Sequence, residues 1–254
     1  MKQIVRAVVI LFVVFLSLPS WGLELGMRGY VWTPELSGDI RVDDDALAGT
    51  KLDFVDTLGL DDESSAVIEV FLGTGRHHVM LGYHQADYKG NKVLDHEVVF
   101  NGEVYHASDT IRTELEFTAM EGMYQYDVID LENILAGFSI GLVGKVKVLK
   151  GSAQIESEMT GEQTKQDFTA PLPMLGANVH VGLINDLLEA RVLATGMGYS
   201  GNTVMDAQAE LSFTPLPFLD ITGGYRFFKI DVDEDDVEFK YDTSGPYIGA
   251  AIKF

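Results

Sequence analysis

The chain has 254 residues, enough for one large domain or two small ones, and a formal net charge of -21. That acidity argues against nucleic acid as a partner, because phosphate binding needs a basic surface, and against simple polybasic attachment to anionic lipid. There are no cysteines, which removes disulfides and cysteine-ligated zinc or iron–sulfur centres.

At the N-terminus, Lys2 and Arg6 precede an apolar stretch over 7–18, followed by Pro19, Ser20, Trp21 and Gly22. This is the three-part plan of a secretory signal. The small residues Ser20 and Gly22 put cleavage after Gly22. The apolar run is too short for a helical anchor, which needs about 20 residues, and no cysteine follows to make a lipoprotein. Residues 1–22 are therefore expected to be a cleaved signal peptide and 23–254 the mature domain.

The mature chain alternates with period two between turn residues, the mark of strands. Over 134–148, Ile134, Ala136, Phe138, Ile140, Leu142, Gly144, Val146 and Val148 share one face, opposite Ser139, Lys145 and Lys147. Over 173–183, Leu175, Ala177, Val179 and Val181 alternate with Met174, Gly176, Asn178 and His180. Over 188–199, Leu188, Ala190, Val192 and Ala194 oppose Glu189, Arg191 and Thr195. Over 205–213, Met205, Ala207, Ala209, Leu211 and Phe213 oppose Asp206, Gln208, Glu210 and Ser212. A soluble sandwich or lipocalin-like barrel would also alternate. The connections discriminate. Short ones near 73–76, 127–133, 184–187 and 215–219 alternate with long polar ones at 35–63, 89–109, 151–169 and 233–242, and a short turn at 200–203 falls on the long-loop side. That asymmetry is the signature of a transmembrane barrel.

The fold class expected is all-β: a transmembrane antiparallel up-and-down β-barrel of ten strands, with eight or twelve as the alternative counts. The strands fall near 24–34, 64–73, 77–88, 110–126, 134–149, 171–184, 188–200, 203–214, 219–232 and 243–254. In 110–126 the alternation changes phase between Phe117 and Met120, which suggests a β-bulge. Between 89 and 109, apolar runs flank Asn101-Gly102, a strong hairpin signal; the barrel strands are expected to extend outward there.

In the last strand Ile248, Ala250, Ile252 and Phe254 alternate and end on an aromatic residue. This resembles the C-terminal assembly signal of Gram-negative outer-membrane β-barrels, a class-level resemblance shared by the signal segment and the hairpin plan. It implies integral residence in the outer membrane, with lipid, lipopolysaccharide and the barrel-assembly machinery as partners and Ile252 and Phe254 as the assembly signal. Ending at Phe254, the chain is expected to carry no appended peptidoglycan-binding domain. Trp32, Tyr88, Tyr124, Tyr126, Tyr199 and Phe213 are candidates for the interfacial aromatic girdles.

With the apolar faces toward lipid, Arg28, Tyr30, Glu69, His84, Lys145, Lys147, Asn178, His180, Glu189, Arg191, Asp206, Gln208, Glu210 and Arg226 point inward. Buried charges must pair, and a small barrel has little free space. A salt-bridged network closing the lumen is the favoured reading. Inward glycines at Gly137, Gly141, Gly176 and Gly182 leave room for the alternative, a narrow, porin-like channel for small solutes.

The negative charge concentrates in loops: Asp43–Asp44–Asp45, Asp61–Asp62–Glu63, and the dense run that begins at Asp231. Carboxylates are ligands for Ca²⁺ and Mg²⁺. Asp231, Asp233, Asp235 and Asp242 are spaced like positions 1, 3, 5 and 12 of a calcium loop. The run departs from that pattern at Asp236, where glycine is needed, and at Asp242, where a bidentate Glu is needed. No other cofactor is expected.

Outer-membrane barrel enzymes include lipid A-modifying enzymes, phospholipases and omptin proteases. Here His96 and His106 lie near Asp95 and Asp109, resembling the omptin plan in position only. His77 and His78 read as solvated turn residues. No G-x-S-x-G elbow or H-E-x-x-H motif is present. The expectation is a non-enzymatic structural or surface-interaction barrel, with no catalytic residues assigned; the alternatives are the channel and a rim-sited hydrolase.

Overall fold

The computed structural model describes residues 23–44, 48–131, 137–184, 187–234 and 237–254. The signal segment expected over 1–22, the start of the predicted strand at 134–136, and the acidic residues Asp45, Asp235 and Asp236 lie outside them. Fourteen strands are described: β1 (Leu23–Trp32), β2 (Glu35–Val42), β3 (Leu52–Asp53), β4 (Ser65–Thr74), β5 (His77–Val93), β6 (Val98–Phe100), β7 (Glu103–Tyr105), β8 (Thr110–Leu131), β9 (Phe138–Ser157), β10 (Gln163–Ile184), β11 (Leu188–Tyr199), β12 (Asn202–Leu216), β13 (Leu219–Glu234) and β14 (Val237–Lys253).

Ten of these form an antiparallel sheet in the order β1-β4-β5-β8-β9-β10-β11-β12-β13-β14. It closes where β1 pairs with β14, from Gly26↔Lys253 to Trp32↔Tyr247. Closure removes the unpaired edges that would otherwise expose backbone N–H and C=O groups to lipid. The expected count of ten strands and the up-and-down plan are what the structure shows.

Outward side chains form a belt. Leu81, Leu142, Leu175 and Ile248 are each more than half exposed to the surroundings. A continuous apolar surface of that kind belongs in hydrocarbon, not water, and the protein spans the membrane as a barrel. The belt has a level upper limit. Outside, Tyr83 of β5, Met120 of β8 and Val148 of β9 are cross-strand neighbours; one step higher come Gln85, Thr118 and Lys150, again in register with one another. Above that line the outer face is polar.

The inner face changes character at the same height. Below it point Glu121 and Lys147; above it point Ala119, Phe117, Leu115 and Leu149, all buried. The barrel is thus charged inside and apolar outside in the membrane, and apolar inside and polar outside above it. This explains what sequence alternation suggested as a bulge between Phe117 and Met120. The register of β8 is unbroken there on both sides, and its shift lies between Asp127 and Ile129. The hydrophobicity pattern inverts while the backbone continues.

The inversion also corrects the loop boundaries. Several segments expected to be loops are strand: β5 runs on to Val93, β9 to Ser157, and β10 starts at Gln163. The expected loop over 35–63 contains β2, which continues β1 past Thr33-Pro34. β1 pairs with the lower part of β14 and β2 with its upper part, Val237↔Val42 to Ser244↔Glu35. Proline fixes φ and lacks an N–H, so it divides one long strand in two. Asn101 and Gly102, with φ of 49° and 82°, form the expected hairpin turn between β6 and β7. The hairpin does not extend the barrel outward. Val98, Phe100 and Tyr105 are buried, and Thr50 N–H donates to Val99 O at 2.8 Å, so it folds inward over the mouth.

Of the girdle candidates, Tyr124, Tyr126 and Phe213 face outward, Tyr199 is exposed at the turn after β11 but has the parity of the inward Leu193 and Thr195, and Trp32 and Tyr88 are buried inside. Period two requires this for Trp32, which shares parity with Arg28 and Tyr30. Its indole N–H donates to Gly245 O at 3.2 Å.

Candidate functional site: an ionic plug between two cavities

Strand parity delivers the charged side chains to the barrel axis, where one network crosses the lumen. Arg226 of β13 lies 2.9 Å from Asp206 of β12 and 3.3 Å from Glu121 of β8. Lys145 of β9 lies 2.9 Å from Asp206 and 3.0 Å from Glu121. Lys147 reaches Asp206 at 2.7 Å and stands 3.8 Å from the centre of the Phe228 ring. Below this group Arg28 of β1 pairs with Glu69 of β4, Nε to Oε2 at 2.8 Å, and with Glu210 of β12. Arg191 of β11 also pairs with Glu210, at 2.9 Å.

Tyrosines join the two groups. The Tyr30 hydroxyl accepts from Arg226 at 2.7 Å and donates to Glu69 at 3.1 Å. Tyr247 donates to Glu210 at 2.8 Å. Within this network the buried charges match one for one: Arg28, Lys145, Lys147 and Arg226 against Glu69, Glu121, Asp206 and Glu210. Charges this deeply buried persist only when paired and hydrogen-bonded.

Of the residues expected in the lumen network, the structure brings together Arg28, Glu69, Lys145, Arg191, Asp206, Glu210 and Arg226. His180 and Glu189 form a separate pair at 3.3 Å toward the short-turn end. Glu121 and Tyr247 were not singled out from sequence. Tyr247 was readable, since it has the opposite parity to the outward Ile248, Ala250 and Ile252. Glu121 was hidden by the apparent phase change just before it.

Gly82 and Gly224 make room for plug side chains, and Gly141 for Asp127 outside the plug. A Cβ at Gly82 would lie 2.7 Å from Glu121 Cγ, one at Gly141 would lie 2.6 Å from Asp127 Oδ1, and one at Gly224 would lie 2.6 Å from the Tyr247 ring. These glycines make space for neighbouring side chains, and that space is filled.

The plug separates two cavities. Toward the short turns is a polar one of about 410 Å³, bordered by Glu24, Asn178, His180 and Lys253. Toward the long loops is an apolar one of about 440 Å³, bordered by Phe54, Leu115, Phe117, Leu149, Phe168 and Ile230.

The other candidates are placed as follows. His78 is not merely solvated: it lies 2.8 Å from Asp127, and His77 lies 2.7 Å from the Tyr124 hydroxyl. His106 is exposed beside Glu97 at 3.1 Å, while Asp109 accepts from Ser157 and from Met159 N–H. His96 is exposed. In the β13–β14 hairpin Asp231 is opposite Lys240, Asp233 opposite Glu238 and Asp242 opposite Lys229. Asp242 lies 3.6 Å from the Lys229 amine. Among the described residues no three carboxylates or imidazoles converge as a metal site. Ile252 and Phe254 face outward at the closure seam, where Phe254 N–H donates to Leu25 O at 2.8 Å.

No protein-family model and no curated protein sequence matches the chain. Solved structures do. The outer-membrane protease OmpT of Escherichia coli aligns with a TM-score of 0.64 at 10% identity, covering 91% of this chain and 97% of that one. The attachment invasion locus protein Ail of Yersinia pestis aligns at 0.39 with 14% identity, covering 92% and 99%. The Neisserial surface protein A aligns at 0.35 with 10% identity, covering 92% and 97%. The last two scores are too low to build on. The first, together with the closed sheet and its lipid-facing belt, gives the conclusion: this chain has the fold of the Gram-negative outer-membrane β-barrels and is an integral membrane protein of that type.

Proposed function

We propose that the protein is a non-conducting outer-membrane barrel whose role is structural or surface-interacting and is carried by its half above the membrane. The observation that carries this reading is the plug. Lys145, Lys147 and Arg226 converge on Asp206 and Glu121 in mid-barrel, with Arg28, Glu69 and Glu210 directly below. A solute crossing the lumen would have to break buried ion pairs, which is costly. Above the plug the barrel continues as a protein head with a hydrophobic interior and an acidic exterior. Lipopolysaccharide surrounds such a head, and its anionic groups would meet the acidic loops through Ca²⁺ or Mg²⁺. Ile252 and Phe254, exposed at the seam, are available to the assembly machinery.

Insertion of the purified protein into planar bilayers tests the closed state. Silence is expected; discrete conductance steps from the native protein would overturn it and favour the channel. The protease activity of OmpT is not carried over at 10% identity. Asp109 already accepts two hydrogen bonds away from the histidines, which weighs against a hydrolase at this rim.

A further inference from the structure

We propose that the apolar cavity above the plug is a binding site for a neutral, largely hydrocarbon molecule carrying one hydrogen-bonding group. It depends on the closed lumen only for its floor.

The cavity's volume of about 440 Å³ falls in the range of small-molecule sites. Protein interiors are otherwise packed like organic crystals. An unfilled apolar space of this size is not ordinary core, and apolar cavities stay dry and take up hydrocarbon guests. Most of its walls come from strand segments above the membrane, held by barrel hydrogen bonds, and Phe54, Leu58 and Leu60 of the turn after β3 complete them. Phe100 of the inward-folded β6–β7 hairpin closes part of its top.

Two observations specify the ligand. Thr113 lines the cavity and is 3% exposed, and its hydroxyl has no hydrogen-bond partner among the described residues. A buried hydroxyl left unsatisfied is costly, and a ligand hydroxyl or carbonyl would satisfy it. The bordering charged residues are Asp43 and Asp167, with no lysine or arginine among the described lining. A carboxylate would find no free cation there, so the ligand is neutral.

The test uses the folded protein in lipid nanodiscs with a photoreactive, diazirine-bearing dodecanol, and the matching dodecanoate probe as control. Labelled peptides are mapped by mass spectrometry. The alcohol should label Leu115, Leu149 or Phe168, saturably against plain dodecanol, and the carboxylate should label them at least tenfold less. Alcohol labelling confined to the lipid-facing Leu142 and Val146 would show membrane partition alone and overturn the site. Equal labelling by the carboxylate would overturn the preference for a neutral ligand. Ala153→Trp, which fills the cavity, should abolish interior labelling while the protein still migrates as a folded barrel on gels. Should that variant not fold, the near-isosteric Thr113→Val decides. It should weaken the dodecanol saturation midpoint roughly tenfold, the worth of one hydrogen bond, and an unchanged midpoint would remove Thr113 from the site. Bilayer conductance reads the plug separately, so failure of one reading is distinguishable from failure of the other.

Discussion

Arg226 and Asp206 meet diagonally across the β12–β13 pair through two hydrogen bonds, Nε to Oδ1 at 3.3 Å and Nη2 to Oδ2 at 2.9 Å, with almost no solvent on either side chain. Asp206 also holds Lys145 and Lys147. It is the common counter-ion of three cations, and Glu121 is the other carboxylate among them.

Asp206→Ala should therefore be the most damaging single change in the plug. It leaves three enclosed cations around Glu121 alone, and breaking a buried pair costs about 3–5 kcal/mol. Urea unfolding in lipid vesicles measures the loss. Truncating Arg191, which is partly exposed and shares Glu210 with Arg28, should cost about 1 kcal/mol or less by the same assay.

Much of this organisation was legible because alternation is read directly from the sequence. In β9, Leu142 and Val146 against Lys145 and Lys147 give face, register and lumen charge together. The ten strands followed from it, as did seven of the network's residues. The upper half was not legible, for a physical reason. Polarity on each face reflects the medium on that side, and the medium changes from lipid to water between Met120 and Thr118. Ile111, Leu115 and Phe117 then resemble an outward face that has slipped. Lys89 and Asn91 of β5 resemble a loop. The same confusion hid Glu121 and cut β5 short at Tyr88. Trp32 and Tyr88 were misplaced differently: their type suits a girdle, but their parity points them inward, and parity decides.

The level at which the outer face turns polar can be checked on one strand. Leu81 and Gln85 share the outward face of β5, Leu81 within the belt and Gln85 just above it. Leu81→Arg should destabilise the barrel by about 2–4 kcal/mol, as charged residues do on a lipid face. Gln85→Arg should stay within about 0.5 kcal/mol of native. Parallel urea titrations in vesicles would give both values. Equal costs would mean that the boundary is not between Tyr83 and Gln85.

One of the ties that fasten the β6–β7 hairpin can be released selectively. The Tyr105 hydroxyl donates to Thr164 Oγ1 at 2.8 Å and lies 3.3 Å from Ile155 O. Tyr105→Phe keeps the ring in place and removes this tie, worth about 1 kcal/mol. Hydrogen exchange of the amides in 98–105 should speed up roughly fivefold to tenfold, while those of β8 and β9 in mid-barrel stay unchanged. Unchanged exchange in the hairpin would mean that Val98 and Phe100 packing and the Thr50–Val99 hydrogen bonds hold it down without this tie.

Acid should loosen the seam between β2 and β14. Glu238 accepts from Lys240 at 3.1 Å and from Lys51 at 3.3 Å, and Arg41 lies 3.4 Å away. The hydrogen bond from Lys240, then that from Lys51, holds its carboxyl below the ordinary value of 4.5. In turn, Asp39 first and Glu238 second hold Lys51 above its ordinary 10.5. Asp43 and Asp233 also face this group. A carboxyl depressed in the folded state contributes stability that is present above the unfolded value and lost as pH falls through the folded one. An amine raised in the folded state contributes below its unfolded value and loses that contribution as pH rises through the folded one. The network is therefore whole between about pH 4.5 and 10.5. Below that window the amides of β2 should exchange faster, after correction for intrinsic rates, while the β1–β14 seam in the membrane keeps its protection. Glu238→Gln should carry the faster exchange up to neutral pH and flatten its acid dependence. Retention of the full acid dependence in that variant would mean that Glu238 does not carry it.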